Sequence, residues 1–142
     1  MRAIDQLLGE YAESHRNRTN QIIHKICVPF IVWSTVGLMW WVHPWLALGF
    51  MLFSVAYYLR LSWPFALAMG AAVALMCFSF TLIPANLLLP VMAGVWITAW
   101  IAQFIGHEIE GKKPSFFRDV FFLLIGPLWV LAPIFRKLKI AY

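Results

Sequence analysis

From Lys25 to Glu108 the chain runs for some eighty residues with a single charged side chain, Arg60, between them. Short polar breaks divide this interval into apolar segments. Ile22–Val42 stops at His43-Pro44, and Trp45–Trp63 carries Arg60 near its end, where a long side chain can snorkel to the interface. Pro64–Ile83 and Leu87–Ile105 flank a turn predicted at Pro84-Ala85-Asn86. Each segment approaches or reaches the ~20 residues a helix needs to cross about 30 Å of hydrocarbon. Ahead of them, Ile4, Leu7, Leu8, Tyr11 and His15 recur at helical spacing with Asp5, Glu10 and Glu13 elsewhere, which predicts an amphipathic helix over residues 3–15. Arg16-Asn17-Arg18-Thr19-Asn20 then reads as a break and restart, with Asn17, Thr19 or Asn20 available as N-cap.

A fifth apolar segment, Val120–Phe135, is shorter, is interrupted by Gly126-Pro127, and carries Pro133 near its end. Arg118 precedes it and Arg136, Lys137 and Lys139 follow, so a crossing would strand one basic group on the outer side. The pattern predicts a re-entrant or interfacial segment that returns to its starting side. The expected fold is an all-α membrane protein in one domain, residues 1–142. It has four transmembrane helices, an N-terminal amphipathic helix, a C-terminal re-entrant or interfacial helix, and both termini cytoplasmic. Five crossings are the alternative.

Composition sharpens this picture. The chain is 63% hydrophobic and 12% charged, with mean hydropathy +0.79, against roughly 45–50% apolar and about 25% charged for soluble domains. Ten of its eleven Lys and Arg lie in three blocks, Arg2 to Lys25, Lys112 to Arg118 and Arg136 to Lys139. Such clustering follows the positive-inside rule and argues against a nucleic-acid partner, which needs a continuous basic face. No cleavable leader is expected from the polar first 25 residues. Cys27 and Cys77 fall within apolar segments and suggest no disulfide framework; Cys27 reads as a small buried residue, with a soft metal ligand as the alternative. Nothing in the pattern specifies an oligomeric state.

The histidines bring in chemistry. Counting twenty residues back from Val42 puts His24 at the inner edge of the hydrocarbon, and counting on from Leu87 puts His107 at the same edge. His15 belongs to the preceding helix on that side. His15 and His24 are nine residues apart, on opposite faces of an unbroken helix, so joint action requires the break at Arg16–Asn20. Asn20 and His24 share a face, as do Gln103, His107 and Glu110, while Glu108 points away; Gly111 is a plausible C-cap, with Pro114 beyond it. One reading is a metal site formed by His15, His24 and His107, with Glu110 as a fourth ligand or as a carboxylate orienting an imidazole. Neutral imidazole suits Fe(II), Zn or Cu, and three protein ligands leave positions open. The competing reading has interfacial His, Asn and Gln capping helices and binding water. His43, among Trp40, Trp41 and Trp45 at the opposite end, is read as structural.

Tyr11, His15, Asn20, His24 and Pro29, in the pattern Y-x3-H-x4-N-x3-H-x4-P, resemble the N-terminal signature of the membrane 2-hydroxy fatty acid dioxygenase family, formerly a domain of unknown function. Gln103, Gly106, His107, Glu110, Gly111 and Pro114 resemble its second signature, and Gly126-Pro127 a third, weaker one. The resemblance implies an Fe(II)-dependent enzyme that takes a 2-hydroxy fatty acid and dioxygen and shortens the chain by one carbon in α-oxidation. It further implies His15, His24 and His107 as essential residues, with Glu110 beside them. Tyr11, Asn20 and Gln103 then fall near metal or substrate, and Arg16, Arg18, Lys112 and Lys113 are placed to attract a carboxylate, though topology signals explain these four equally. The host membrane implied is a bacterial inner membrane or the endoplasmic reticulum. The family often has an acidic residue where this chain has Ala132-Pro133. Two other classes stay open: a small membrane transporter, which usually needs an ionisable group at mid-membrane, and a zinc-dependent membrane lipid hydrolase.

Overall fold

The computed structural model describes the backbone of residues 2–111 and 116–142, and the side chains of these residues except 116–123. Among the described residues it is entirely helical: α1 (Ala3–Glu13), α2 (Arg18–Val42), α3 (Pro44–Leu61), α4 (Trp63–Thr81), α5 (Ala85–Glu110) and α6 (Phe116–Lys137). Among those residues, α2 to α5 are long and apolar enough to cross a membrane, which is consistent with an integral membrane protein.

The sequence explains where the helices stop. Asn17 is the N-cap of α2, its Oδ1 accepting from Thr19 N at 2.9 Å and Asn20 N at 3.3 Å. His43 ends α2 in an extended conformation and caps α3, accepting from Trp45 N at 3.2 Å, with Pro44 in the first turn. His43 is therefore a helix cap at the end of the bundle away from the other histidines. Extended Ser62 separates α3 from α4. Gly111 closes α5 in the left-handed conformation, φ 77°, its N–H donating to the carbonyls of His107 and Glu108.

Several boundaries differ from expectation: α1 ends at Glu13 rather than at His15, and α6 spans Phe116–Lys137 rather than Val120–Phe135. The turn between α4 and α5 is Leu82-Ile83-Pro84, and Ala85 and Asn86 already belong to α5. Leu82 and Ile83 close α4 by donating to the carbonyls of Ser79 and Phe80, and the fixed φ of Pro84 then launches α5 directly. Both α2 and α5 also run past their apolar stretches into polar residues, because Asn17 and Gly111 set those ends rather than hydrophobicity.

α2 packs most extensively on α5 and also meets α3, α4 and α6, while α1 packs on α6. Phe65, Phe80, Val36 and Met92 are buried in the main apolar core. Ile26, Phe30, Leu52, Phe53, Leu75, Phe78 and Ile101 face outward and are exposed. Such outward apolar faces are expected where the surrounding medium is lipid. At the end of the bundle shared by the start of α2, the close of α3 and the start of α4, the two termini meet. Arg2 Nη1 donates to the Tyr142 carbonyl, and the Tyr142 ring packs on Phe65 at 4.6 Å. Along α6, the Leu124 carbonyl accepts from Tyr58 Oη at 2.7 Å, and Phe135 stacks on Phe65 at 4.8 Å.

Close approach of α2 to its neighbours depends on Gly37. A Cβ there would meet Met92 Sδ, lie 2.8 Å from Met92 Cγ and 3.0 Å from Phe80 Cε1, all in fully packed surroundings. Gly37→Val is expected to destabilise the fold by about 1–3 kcal/mol, the usual cost of overpacking. Gly94→Ala, at a helical position with open space around it, should be neutral or slightly stabilising. Thermal unfolding in detergent checks both, and equal loss in the two proteins would refute the close-packing account.

Candidate metal centre

Three local structures deliver the three inner histidines. Ser14 closes α1, and the chain turns out of helix immediately before the next residues. His15 therefore lies just past the helix end, its ring stacked on Tyr11 with centroids 4.2 Å apart and planes 6° apart. The break at Arg16–Asn17 redirects the chain into α2, whose second turn carries His24. His107 stands in the last turn of α5, directly after Gly106. The nine-residue spacing that forbids a shared face on one helix is thus resolved by the change of direction at the break.

The rings of His15 and His24 lie 4.1 Å apart by centroid, His24 and His107 5.0 Å, and His15 and His107 5.9 Å. One nitrogen from each falls within 4.8 Å of the others. All three are buried, with 4%, 1% and 8% of their surface exposed. His15 Nδ1 is 2.6 Å from the Tyr11 carbonyl, and His24 Nδ1 is 3.0 Å from the Asn20 carbonyl. A carbonyl oxygen only accepts, so these Nδ1 atoms carry the protons and the lone pairs are on Nε2. His107 Nδ1 is buried with no hydrogen-bond partner among the described residues. Buried polar atoms are normally paired. Three converging imidazole nitrogens, two fixed in tautomer and one with an orphaned ring nitrogen, fit a divalent transition-metal ion and leave coordination positions open.

Glu110 sits one step outside this cluster. Its Oε1 accepts from Arg16 N at 2.9 Å, and its Oε2 accepts from Asn17 N at 2.8 Å and from Asn20 Nδ2 at 3.1 Å. The carboxylate thus clasps the break to the end of α5. Asn20 Nδ2 also reaches the Ser14 carbonyl at 3.3 Å. Asn20 Oδ1 and Gln103 Oε1 are buried and have no hydrogen-bond partner among the described residues. Arg16 and Arg18 are exposed, and Arg16 meets Glu110 through its backbone. Lys112, Lys113 and Pro114 lie outside the described residues. Cys27 is buried against Ile31 and Ala99, as a small apolar residue, and is not in the nitrogen cluster.

Several contributors escaped the sequence reading. Trp129 packs its ring 5.3 Å from both Tyr11 and His15, and Lys25 Nζ lies 5.5 Å over it. Gln21 Nε2 donates to the His15 carbonyl at 2.6 Å. The only pointer to Trp129 was the Gly126-Pro127 element just before it. A Cβ on Gly126 would lie 3.1 Å from Tyr11 Oη and 3.3 Å from Val28 Cγ1, so this glycine lets α6 close on the centre. Gly106 does the same between α5 and α2, since a Cβ there would overlap Asn20 Oδ1 and lie 3.3 Å from His24 Cε1.

A family model described as 2-hydroxy-palmitic acid dioxygenase Mpo1-like matches residues 1–138, and the chain belongs to that family. No curated protein and no solved structure matches it.

The geometry separates the candidate ligands His15, His24 and His107 from the residues that hold them. Gly106→Ala and Glu110→Ala are each expected to weaken metal binding by about 10–100-fold without abolishing it, as losses of orienting partners do. Gly49→Ala, in open space, should leave affinity unchanged. Competition titration with a chelator measures all three. Complete loss of metal in Glu110→Ala would instead make that carboxylate a ligand.

Proposed function

We propose that this protein is an integral membrane, Fe(II)-dependent dioxygenase that shortens 2-hydroxy fatty acids by one carbon. The observation that carries this reading is the buried convergence of His15, His24 and His107, taken with membership of a dioxygenase family. Iron(II), when bound, supplies open coordination positions and the one-electron chemistry by which dioxygen attacks a stable C–C bond.

The reaction balances as R–CHOH–COOH + O2 → R–COOH + CO2 + H2O. The C1–C2 bond breaks, the substrate provides all four electrons, and no further reductant is needed. In this reading His15, His24 and His107 hold the metal. The Tyr11 and Asn20 carbonyls keep two imidazoles in the tautomer whose Nε2 carries the lone pair that a metal ion takes. Tyr11 and Trp129 wall the centre and exclude water. Asn20 Oδ1 and Gln103 Oε1, as acceptors, are suited to the substrate hydroxyl. The basic residues Arg16, Arg18, Lys112 and Lys113 serve as inner-side topology signals that also raise the local concentration of an anionic amphiphile.

The contacts of α6 with Tyr58, Val28 and Phe65, and the meeting of Arg2 with Tyr142, support an α6 that lies across the inner end of the bundle. Both termini are then cytoplasmic, in a bacterial inner membrane or the endoplasmic reticulum. A reporter fused after Tyr142 should give a cytoplasmic signal, and an external one would make α6 a fifth crossing.

The activity is tested on protein purified without oxygen. Iron close to stoichiometric and oxygen uptake with 2-hydroxypalmitic acid are expected. His24→Ala and His107→Ala should reduce both by more than about 100-fold, beyond the effect of losing an outer partner. Stoichiometric zinc with no oxygen consumption would overturn the reading in favour of a hydrolase, because imidazole donors suit either metal.

A further inference from the structure

A second feature lies deeper in the bundle. A cavity of about 300 Å³ lies between α2, α3, α4 and α6 and is lined almost wholly by apolar side chains. Protein interiors contain few voids larger than a water molecule, whereas ligand sites begin near ~300 Å³. The cavity shares a wall with the metal centre. On α6, Leu124 and Pro127 line the cavity, while Gly126 approaches Tyr11 and Trp129 packs on His15. On α2, the same helix carries His24 and then, one to two turns on, Val28 and the first cavity residue, Ile31.

We propose that this cavity holds the far part of the hydrocarbon chain of a long-chain acid whose carboxyl end lies at the histidines. The proposal rests on the activity reading above for the position of the head, and on the cavity for the position of the tail. Lengths agree. Cavity residues on α2 run from Ile31 to Met39, seven to fifteen positions beyond His24, or about 10–22 Å at 1.5 Å per residue. With bonds of ~1.5 Å and angles near ~111°, an extended chain advances about 1.25 Å per carbon, so carbons of roughly 8 to 18 lie at that depth. Chains much shorter than this range do not reach the cavity and forgo its apolar burial.

Two hydroxyls on the wall, Thr35 Oγ1 and Ser54 Oγ, are buried without a hydrogen-bond partner among the described residues. They do not oppose a hydrocarbon occupant. Each can turn onto a carbonyl of the preceding turn, as Ser34 Oγ does to the Phe30 carbonyl at 2.7 Å. Ser54 on α3 and Val73 on α4 both line this space and give two independent ways of filling it.

The experiment is photocrosslinking of metal-loaded protein in lipid nanodiscs with 2-hydroxypalmitic acid bearing a diazirine at its terminal carbon. Labelling is expected on cavity residues such as Met39, Met51 and Met69, and should fall several-fold in Ser54→Leu and in Val73→Phe while bound metal is unchanged. Oxygen uptake by the same variants should shift toward acids shorter by several carbons. Labels confined to lipid-facing residues such as Phe30, Leu52 and Leu75, or labelling indifferent to both substitutions, would overturn the proposal. Cavity labelling without oxygen uptake would leave the chain site standing and remove the dioxygenase reading. Oxygen uptake with lipid-facing labels would do the reverse.

Discussion

The centre depends on one carboxylate taking up a break in the chain. Where α1 gives way to α2, the backbone N–H groups of Arg16 and Asn17 have no helical partner, as at any helix start. Both residues are exposed, so water could pair these groups, and what a protein acceptor adds there is a fixed position. Glu110 accepts from both and from Asn20 Nδ2, and its charge suits the positive end of α2. This single residue fixes the turn between His15 and His24 and ties it to the end of α5, which carries His107. Without that clasp the turn that carries His15 loses its tie to α5, while His24 and His107 stay joined through the packing of α2 on α5.

Convergence also needs room for backbones to approach, and glycine provides it at the contacts that matter. Gly106 lets α5 close on Asn20 and His24, and Gly126 lets α6 close on Tyr11 and Val28. Gly37 plays the same part in the membrane core against Met92 and Phe80. In lipid there is no strong hydrophobic drive between helices, so association rests on such close packing. The interior is thereby tight around the histidine cluster and along the α2–α5 seam, which makes the cavity between α2, α3, α4 and α6 stand out as a local exception.

Much of this was legible in the residues. The four long helices followed from hydropathy, a restart within Asn17–Asn20 from capping chemistry, and the end of α5 at Gly111 from the need for a left-handed residue. The shared level of His24 and His107 followed from counting along helices of known rise. What could not be read were relations between segments distant in sequence. Glu110 sits on the same stripe as His107, which suggested metal ligation or a bond to an imidazole. Its actual partners, the amides of Arg16 and Asn17, are more than ninety residues away and carry no side-chain signature. Trp129 was indistinguishable from a lipid anchor by type, and only the packing of α6 places it on His15. The turn at Leu82-Ile83-Pro84 was misplaced by two residues because proline permits a helix to begin immediately after it.

The placement of Glu110 has a further electrostatic consequence under the proposed function. Many oxygen-activating iron sites include one carboxylate among their protein ligands, which neutralises part of the divalent charge. Here the cluster contains three neutral nitrogens and no carboxylate among the described residues, and the nearby acid is committed to backbone amides. A divalent ion held by neutral donors keeps its full charge in a buried site, where an uncompensated charge is expensive. The balance must then be restored by what enters, and a 2-hydroxy carboxylate brings both a negative charge and two oxygen donors. A neutral alcohol or ester of the same chain length offers no such compensation. In this account the selection of an acid arises from the charge that the protein leaves unbalanced at the centre, and the surface lysines and arginines need only gather the substrate.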